Sequence, residues 1–212
     1  IQEAELPPGV VNIITGAGPT GAYLVEHDDV DKIAFTGSTE VGKIIRRTVA
    51  GTGKRLTLEL GGKAANIAFE DAPLDQTVEG VINGIFFNQG HVCCAGSRLL
   101  VQEPVFEPLL EKLKDRLQTL RVGNPLDKNT DIGAINSKAQ LAKIEELVAA
   151  GVDEGAEMYQ PECALPERGF WFRPTLFTNV SQSHRIAREE IFGPVLSILT
   201  FRTPAEAVEK AN

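Results

Sequence analysis

Cys93 and Cys94 stand side by side in FFNQGHVCCAGSR (86–98), just after His91 and flanked by Gly90 and Gly96. Zinc wants two cysteine pairs at CxxC-like spacing, and adjacent cysteines do not both turn to one ion. Only Cys163 and His91 remain as further ligands, so no metal is expected. A disulfide between neighbours is strained, and three cysteines, an odd number, read as reduced thiols. Two readings stay open: a nucleophile presented on a turn, or a buried structural cysteine. A thiol ordinarily titrates near 8.5, so a nucleophile needs help at neutral pH. His91 suggests a Cys–His dyad, but papain-type histidines come from a distant strand, and a turn or interface histidine is the alternative. His27, beside Asp28 and Asp29, and His184, in a polar loop, read as solvated.

Two glycine-rich turns precede this stretch. FTGSTEVGK (35–43) reads as strand, turn and helix, with Ser38 or Thr39 at the N-cap and glycines at 37 and 42. Free N–H groups at such a helix start suit a phosphate, but GxxxxG is not GxGxxG, and a plain capped strand–helix turn is the better account of this motif taken alone. TGAGPTG (15–21) carries the same ambiguity. In RLTLELGG (55–62), Leu56, Leu58 and Leu60 alternate with Arg55, Thr57 and Glu59, which puts Glu59 on the polar face at a strand end.

Strand and helix signals alternate along the chain. Val10–Thr15, KIAFT, RLTLE, ANIAF, RLLVQ, FRPTLF and PVLSILTF read as strands. Helices are expected from Pro19 to about Glu26, from Val41 to about Ala50, and where Val78, Val81, Ile82, Ile85 and Phe86 form one face. Val105, Leu109, Leu113, Leu117 and Leu120 stripe another helix, Leu141, Ile144, Leu147 and Val148 the next, and AEAVEKAN reads as an amphipathic one. The segment 122–133 reads as loop, and 160–168 as irregular. This alternation argues for an α/β architecture with a largely parallel sheet, and the pair Gly61–Gly62 suggests a domain seam.

A net charge of −8 with 21 Lys+Arg offers no footprint for nucleic acid or an acidic membrane surface. No apolar run approaches the roughly 20 residues of a membrane span, and nothing at the start reads as a signal peptide, so a cytoplasmic protein is expected. Neither end looks like a natural terminus, and a piece of a longer protein is expected.

Taken in order, FTGSTEVGK, LELGGK (58–63), FFNQGHVCCAGSR and EEIFGPV (189–195) resemble the aldehyde dehydrogenase superfamily. The order is specific, with 34 residues from Glu59 to Cys93 and 97 from Cys93 to Glu190. The resemblance spans essentially all 212 residues, in a family whose members are about twice this length. It implies the end of a Rossmann-like cofactor domain (1–61) and most of a parallel-sheet α/β catalytic domain (62–212), truncated at its C-terminal end.

Carried over by residue, the resemblance makes Cys93 the nucleophile, Cys94 a neighbour that merely packs, and Glu59 the general base. Gly37 and Ser38 fall at the dinucleotide pyrophosphate, with Val41 and Gly42 in the same turn and the first turn of its helix. Glu190 matches the carboxylate that holds the nicotinamide ribose, and Phe192 the aromatic beside the nicotinamide. Arg98 and Asn124 match structural positions. The implied activity is NAD- or NADP-dependent oxidation of a small-molecule aldehyde to a carboxylic acid through a cysteine thiohemiacetal and thioester. A homo-oligomer is implied as well.

Where this family usually carries Gln or Glu, the chain has His91, and its GHVC form is similar to that of the double-length relatives called family 16. The asparagine that completes the oxyanion hole, in a PWN-type motif, is expected upstream of residue 1, with the Lys and acidic residues for the adenosine ribose. The strand that supports oligomers is expected beyond residue 212. The 212 residues alone are therefore not expected to turn over, and a non-catalytic nucleotide-binding or assembly piece is the competing reading.

Overall fold

A computed structural model describes residues 3–212, which fall into two compact units, the first ending at Gly61 and the second running Gly62–Asn212. In the first unit, α1 (Gly18–Glu26) starts on Pro19, whose missing N–H costs a helix nothing in its first turn. Strand β1 (Lys32–Thr36) leads through the Gly37–Ser38 turn into α2 (Thr39–Thr48), and β2 (Arg55–Glu59) returns parallel to β1, with Thr36 opposite Glu59. This is a βαβ crossover. Ile33, Ile45 and Val49 form its buried core, with Phe35 and Leu56 partly covered against them.

The expected strand at Val10–Thr15 does not form. Ile13 and Ile14 are 84% and 63% exposed, and no described strand pairs with them. A β-branched run becomes a strand only when a neighbour's backbone completes the ladder, and here only β1 and β2 pair.

The second unit is built on five strands: β3 (Ala65–Ala68), β4 (Arg98–Gln102), β5 (Glu157–Tyr159), β6 (Thr175–Thr178) and β7 (Val195–Phe201). Their order is β3-β4-β7-β6-β5, and every neighbouring pair is parallel except β5 with β6. Central β4 and β7 are buried almost throughout, as near-continuous apolar runs in parallel sheets are.

Five helices, α3 (Leu74–Phe86), α4 (Phe106–Gln118), α5 (Lys138–Asp153), α6 (Arg185–Arg188) and α7 (Pro204–Ala211), complete this unit. The expected stripes face inward: Val78, Val81, Ile82, Ile85 and Phe86 of α3 and Leu109, Leu113 and Leu117 of α4 are buried in one cluster with Leu99 and Leu196. Ile144 and Leu147 of α5 join Phe177 and Ile186 in a second cluster. Ser137 and Thr203 cap α5 and α7 by accepting hydrogen bonds from Gln140 N (3.1 Å) and Glu206 N (3.2 Å). Arg98 spreads its guanidinium over three carbonyls, donating to Lys63 O, Lys210 O and Ala211 O at 2.8–2.9 Å, which ties the start of β4 to the end of α7.

Candidate active site

In the first unit the expected residues gather at the carboxyl end of the βαβ crossover. Gly37 N donates to Glu59 O at 3.0 Å, so the phosphate-type turn is pinned to the end of β2. Ser38 caps α2 by accepting from Val41 N at 3.3 Å, and Gly42 N donates to Ser38 O. Among the described residues nothing accepts from the N–H groups of Thr39 and Glu40, which leaves two donors at the positive end of the helix. Gly42 is buried against the Leu60 side chain, which an added β-carbon would have to displace. Glu59 ends β2 with its carboxylate exposed, as the period-two pattern requires.

In the second unit, α3 runs into a tight left-handed turn (Phe87–Gly90) and then a β-turn spanning residues 92–95, closed by Ala95 N donating to Val92 O at 3.0 Å. Cys93 and Cys94 are its two central residues, and both are exposed. Cys94 therefore does not pack as expected: central turn positions project away from the chain's own hydrogen bond, and no described element covers them. Among the described residues no carbonyl or side chain accepts from the N–H of Cys93 or Cys94.

Gly62 brings the thiol turn and the acidic segment together. Its N–H donates to Glu190 Oε1 at 3.2 Å, and a β-carbon placed on it would stand 3.5 Å from Cys93 O. A small pocket opens at this point, lined by Gly62, Val92, Ser97, Glu190 and Phe192 among others. Phe192 adopts φ 55°, unusual for a bulky residue. Gln140 Nε2 holds this backbone by donating to Ile191 O and Phe192 O at 2.9 and 3.0 Å.

His91 stacks on Phe192, with ring centroids 5.3 Å apart and planes within 4°. Its Nε2 is buried without a partner among the described residues, and burial holds its pKa below the ordinary imidazole range. Nothing here makes it the base of a dyad. His27 is exposed, whereas His184 is half-buried, because it stands at the N-cap of α6 and accepts from Ser181 N at 3.4 Å. Among the described residues no group of His, Cys, Asp and Glu side chains assembles as a metal site would require.

Sequence reasoning passed over two residues. Lys63 lies inside the LELGGK motif, yet its Nζ is buried with no partner among the described residues. Its pKa is lowered to about 7, mainly by burial and also by repulsion from Arg98 and Lys143, against the pull of Glu190. A lysine opening the apolar run AANIAF was the available signal. Gln140 had none, since a glutamine on a helix surface says nothing about a carbonyl 51 residues away.

The parallel α/β sheet, the glycine-bounded turn at a helix start and the exposed cysteine turn, whose backbone passes the same Gly62 that Glu190 holds, define a class, and the chain belongs to the aldehyde dehydrogenase family, whose model matches residues 1–212. It is 50% identical over 214 aligned residues to retinal dehydrogenase 2 of Rattus norvegicus, covering 100% of this chain and 41% of that protein. The NAD-dependent aldehyde dehydrogenase of Sinorhizobium meliloti superposes with a TM-score of 0.96 at 46% identity, over 100% of this chain and 42% of the other. The NAD+ complex of the Bacillus cereus aldehyde dehydrogenase gives 0.95 at 42% identity, over 100% and 43%. The chain thus spans less than half the length of these relatives. No helix among the described residues is long and apolar enough to cross a membrane.

Proposed function

We propose that the full-length protein oxidises a small-molecule aldehyde to a carboxylic acid with NAD or NADP, acting as a homo-oligomer, and that residues up to Gly61 belong to its cofactor-binding domain and those from Gly62 to its catalytic domain. The observation that carries this reading is the meeting of Cys93 and Glu190 at Gly62, in a chain of the aldehyde dehydrogenase family. The residues fit a dinucleotide. Two unpaired N–H groups and a glycine-bounded turn at the start of α2 suit a pyrophosphate, with Gly37, Ser38, Val41 and Gly42 shaping that turn. Glu190, oriented by Gly62 N–H, suits ribose hydroxyls, and the flat ring of Phe192 suits a nicotinamide face.

The thiolate of Cys93 attacks the aldehyde carbon, forming a carbon–sulfur bond and leaving negative charge on the former carbonyl oxygen. The free N–H of Cys93 and Cys94 are the donors this chain offers to such an oxyanion. A bound nicotinamide supplies the hydride acceptor. Glu59 takes a proton from the water that hydrolyses the resulting thioester, releasing the acid and restoring the thiol. A thioester suits this task because thiolate is both a soft nucleophile and a good leaving group.

Cys93→Ala should abolish aldehyde-dependent NADH production, by at least on the order of a thousandfold in kcat. Glu59→Gln should release one fast equivalent of NADH per site and then stall as the acyl-enzyme. An unchanged steady-state rate in Cys93→Ala would sink the proposal.

A further inference from the structure

We propose that His91 is a positioning residue for the nicotinamide end of the cofactor, acting through its stack on Phe192. The inference rests on the aldehyde dehydrogenase reading of Phe192 and extends it to a residue whose identity departs from that family's usual Gln or Glu.

Backbone strain concentrates around this pair. Asn88, Gln89 and Gly90 adopt φ 48°, 48° and 75° in succession, and Phe192 adopts 55° across from them. Left-handed conformations are tolerable for glycine and asparagine but costly for glutamine and phenylalanine, and they persist only where surrounding contacts over-determine them. The contacts are visible. Any side chain at Gly90 would collide with the carbonyl of Gly193, so the two backbones touch. Asn88 Nδ2 donates to His91 O at 3.1 Å, His91 N donates to Asn88 O at 2.9 Å, and Gln140 clamps the opposite backbone. Between these two strained segments the only ring-to-ring contact among the described residues is His91 on Phe192.

The imidazole works here as a flat surface. Its Nε2 is buried and makes no hydrogen bond among the described residues, so what the residue offers here is its ring face. Offset parallel rings at 5.3 Å restrict the tilt of Phe192, which then offers its opposite face in a fixed plane. Gln or Ala at 91 leaves that ring free to turn about χ2.

The test uses the full-length protein and NADH, read by the fluorescence of the bound nicotinamide and by steady-state kinetics. His91→Ala and His91→Gln should weaken NADH binding and raise the cofactor KM about 3- to 10-fold, with the aldehyde KM unmoved. His91→Phe keeps the flat ring and discards the unpaired nitrogen, so it should restore both values to within about twofold of wild type. Its apparent Tm without cofactor should equal or exceed that of wild type. A role in folding alone predicts a lower Tm in His91→Ala with unchanged NADH affinity, and that result overturns the proposal. So does failure of His91→Phe to restore binding while it stays folded. If wild type binds neither NADH nor NADPH, the underlying functional reading falls and takes this one with it.

Discussion

The ammonium of Lys63 lies out of water with no hydrogen-bond partner among the described residues, and its pKa is lowered to about 7. An unfolded lysine titrates near 10.4, so between these values the unfolded chain holds a proton the folded chain lacks. Stability therefore rises with pH through that window, and below about pH 7 the folded state bears the full cost of a buried charge. The gap corresponds to a penalty on the order of 5 kcal/mol. Lys63→Met keeps the length and removes the charge. It should raise the apparent Tm by several degrees at neutral pH and flatten its rise toward pH 10; parallel Tm profiles for the two proteins would refute this. The contrast with Cys93 shows what residue type reveals. A cysteine between glycines narrows its place to a displayed turn thiol or a buried structural one, and the alternation of β2 sets Glu59 on a polar face at a strand end. The state of Lys63, and the stacking of His91, depend on what surrounds them in space, which spacing along the chain does not encode.

Periodicity carried most at the scale of elements. The stripes of α3, α4 and α5 were legible because packing against a sheet demands one apolar face at 3.6-residue spacing, and the buried runs of β4 and β7 because a central parallel strand is covered on both sides. Three features escaped. Strand β5 is three residues long with two of them exposed, so it has no alternation to read. Helix α6 is a single turn. Val10–Thr15 has strand composition without a strand partner. The weight of the stripes is testable between α3 and α4. Leu113 is fully buried, and truncating such a side chain costs about 2–5 kcal/mol. Arg116 joins the same two helices through Glu79 at 2.7 Å, but this partly exposed pair is worth about 1 kcal/mol or less. Leu113→Ala should lower the apparent Tm by roughly 5 °C or more, and Arg116→Ala by about 2 °C or less. Equal shifts would mean that the ion pair, rather than the stripe, holds the helices.

The two units of the molecule differ in how much they bury. Among the described residues the first has a cluster of three buried apolar side chains, Ile33, Ile45 and Val49, around a two-stranded sheet. The second closes several larger clusters over five strands. Stability grows with the apolar area withdrawn from water, at roughly 25 cal/mol per Å², and a sheet of two strands is marginal by itself. In a chain of these 212 residues the first unit should therefore open at lower denaturant than the second. The sequence supplies its own reporter, because the single tryptophan, Trp171, lies in the second unit, while α1 and α2 contribute helical signal from the first. On titration with urea, part of the far-ultraviolet circular dichroism should be lost before Trp171 fluorescence changes, and amides of β4 and β7 should exchange slowest. Coincident transitions by both probes would show instead that the units unfold as one, and that the small cluster around Ile45 does not set the limit of the first.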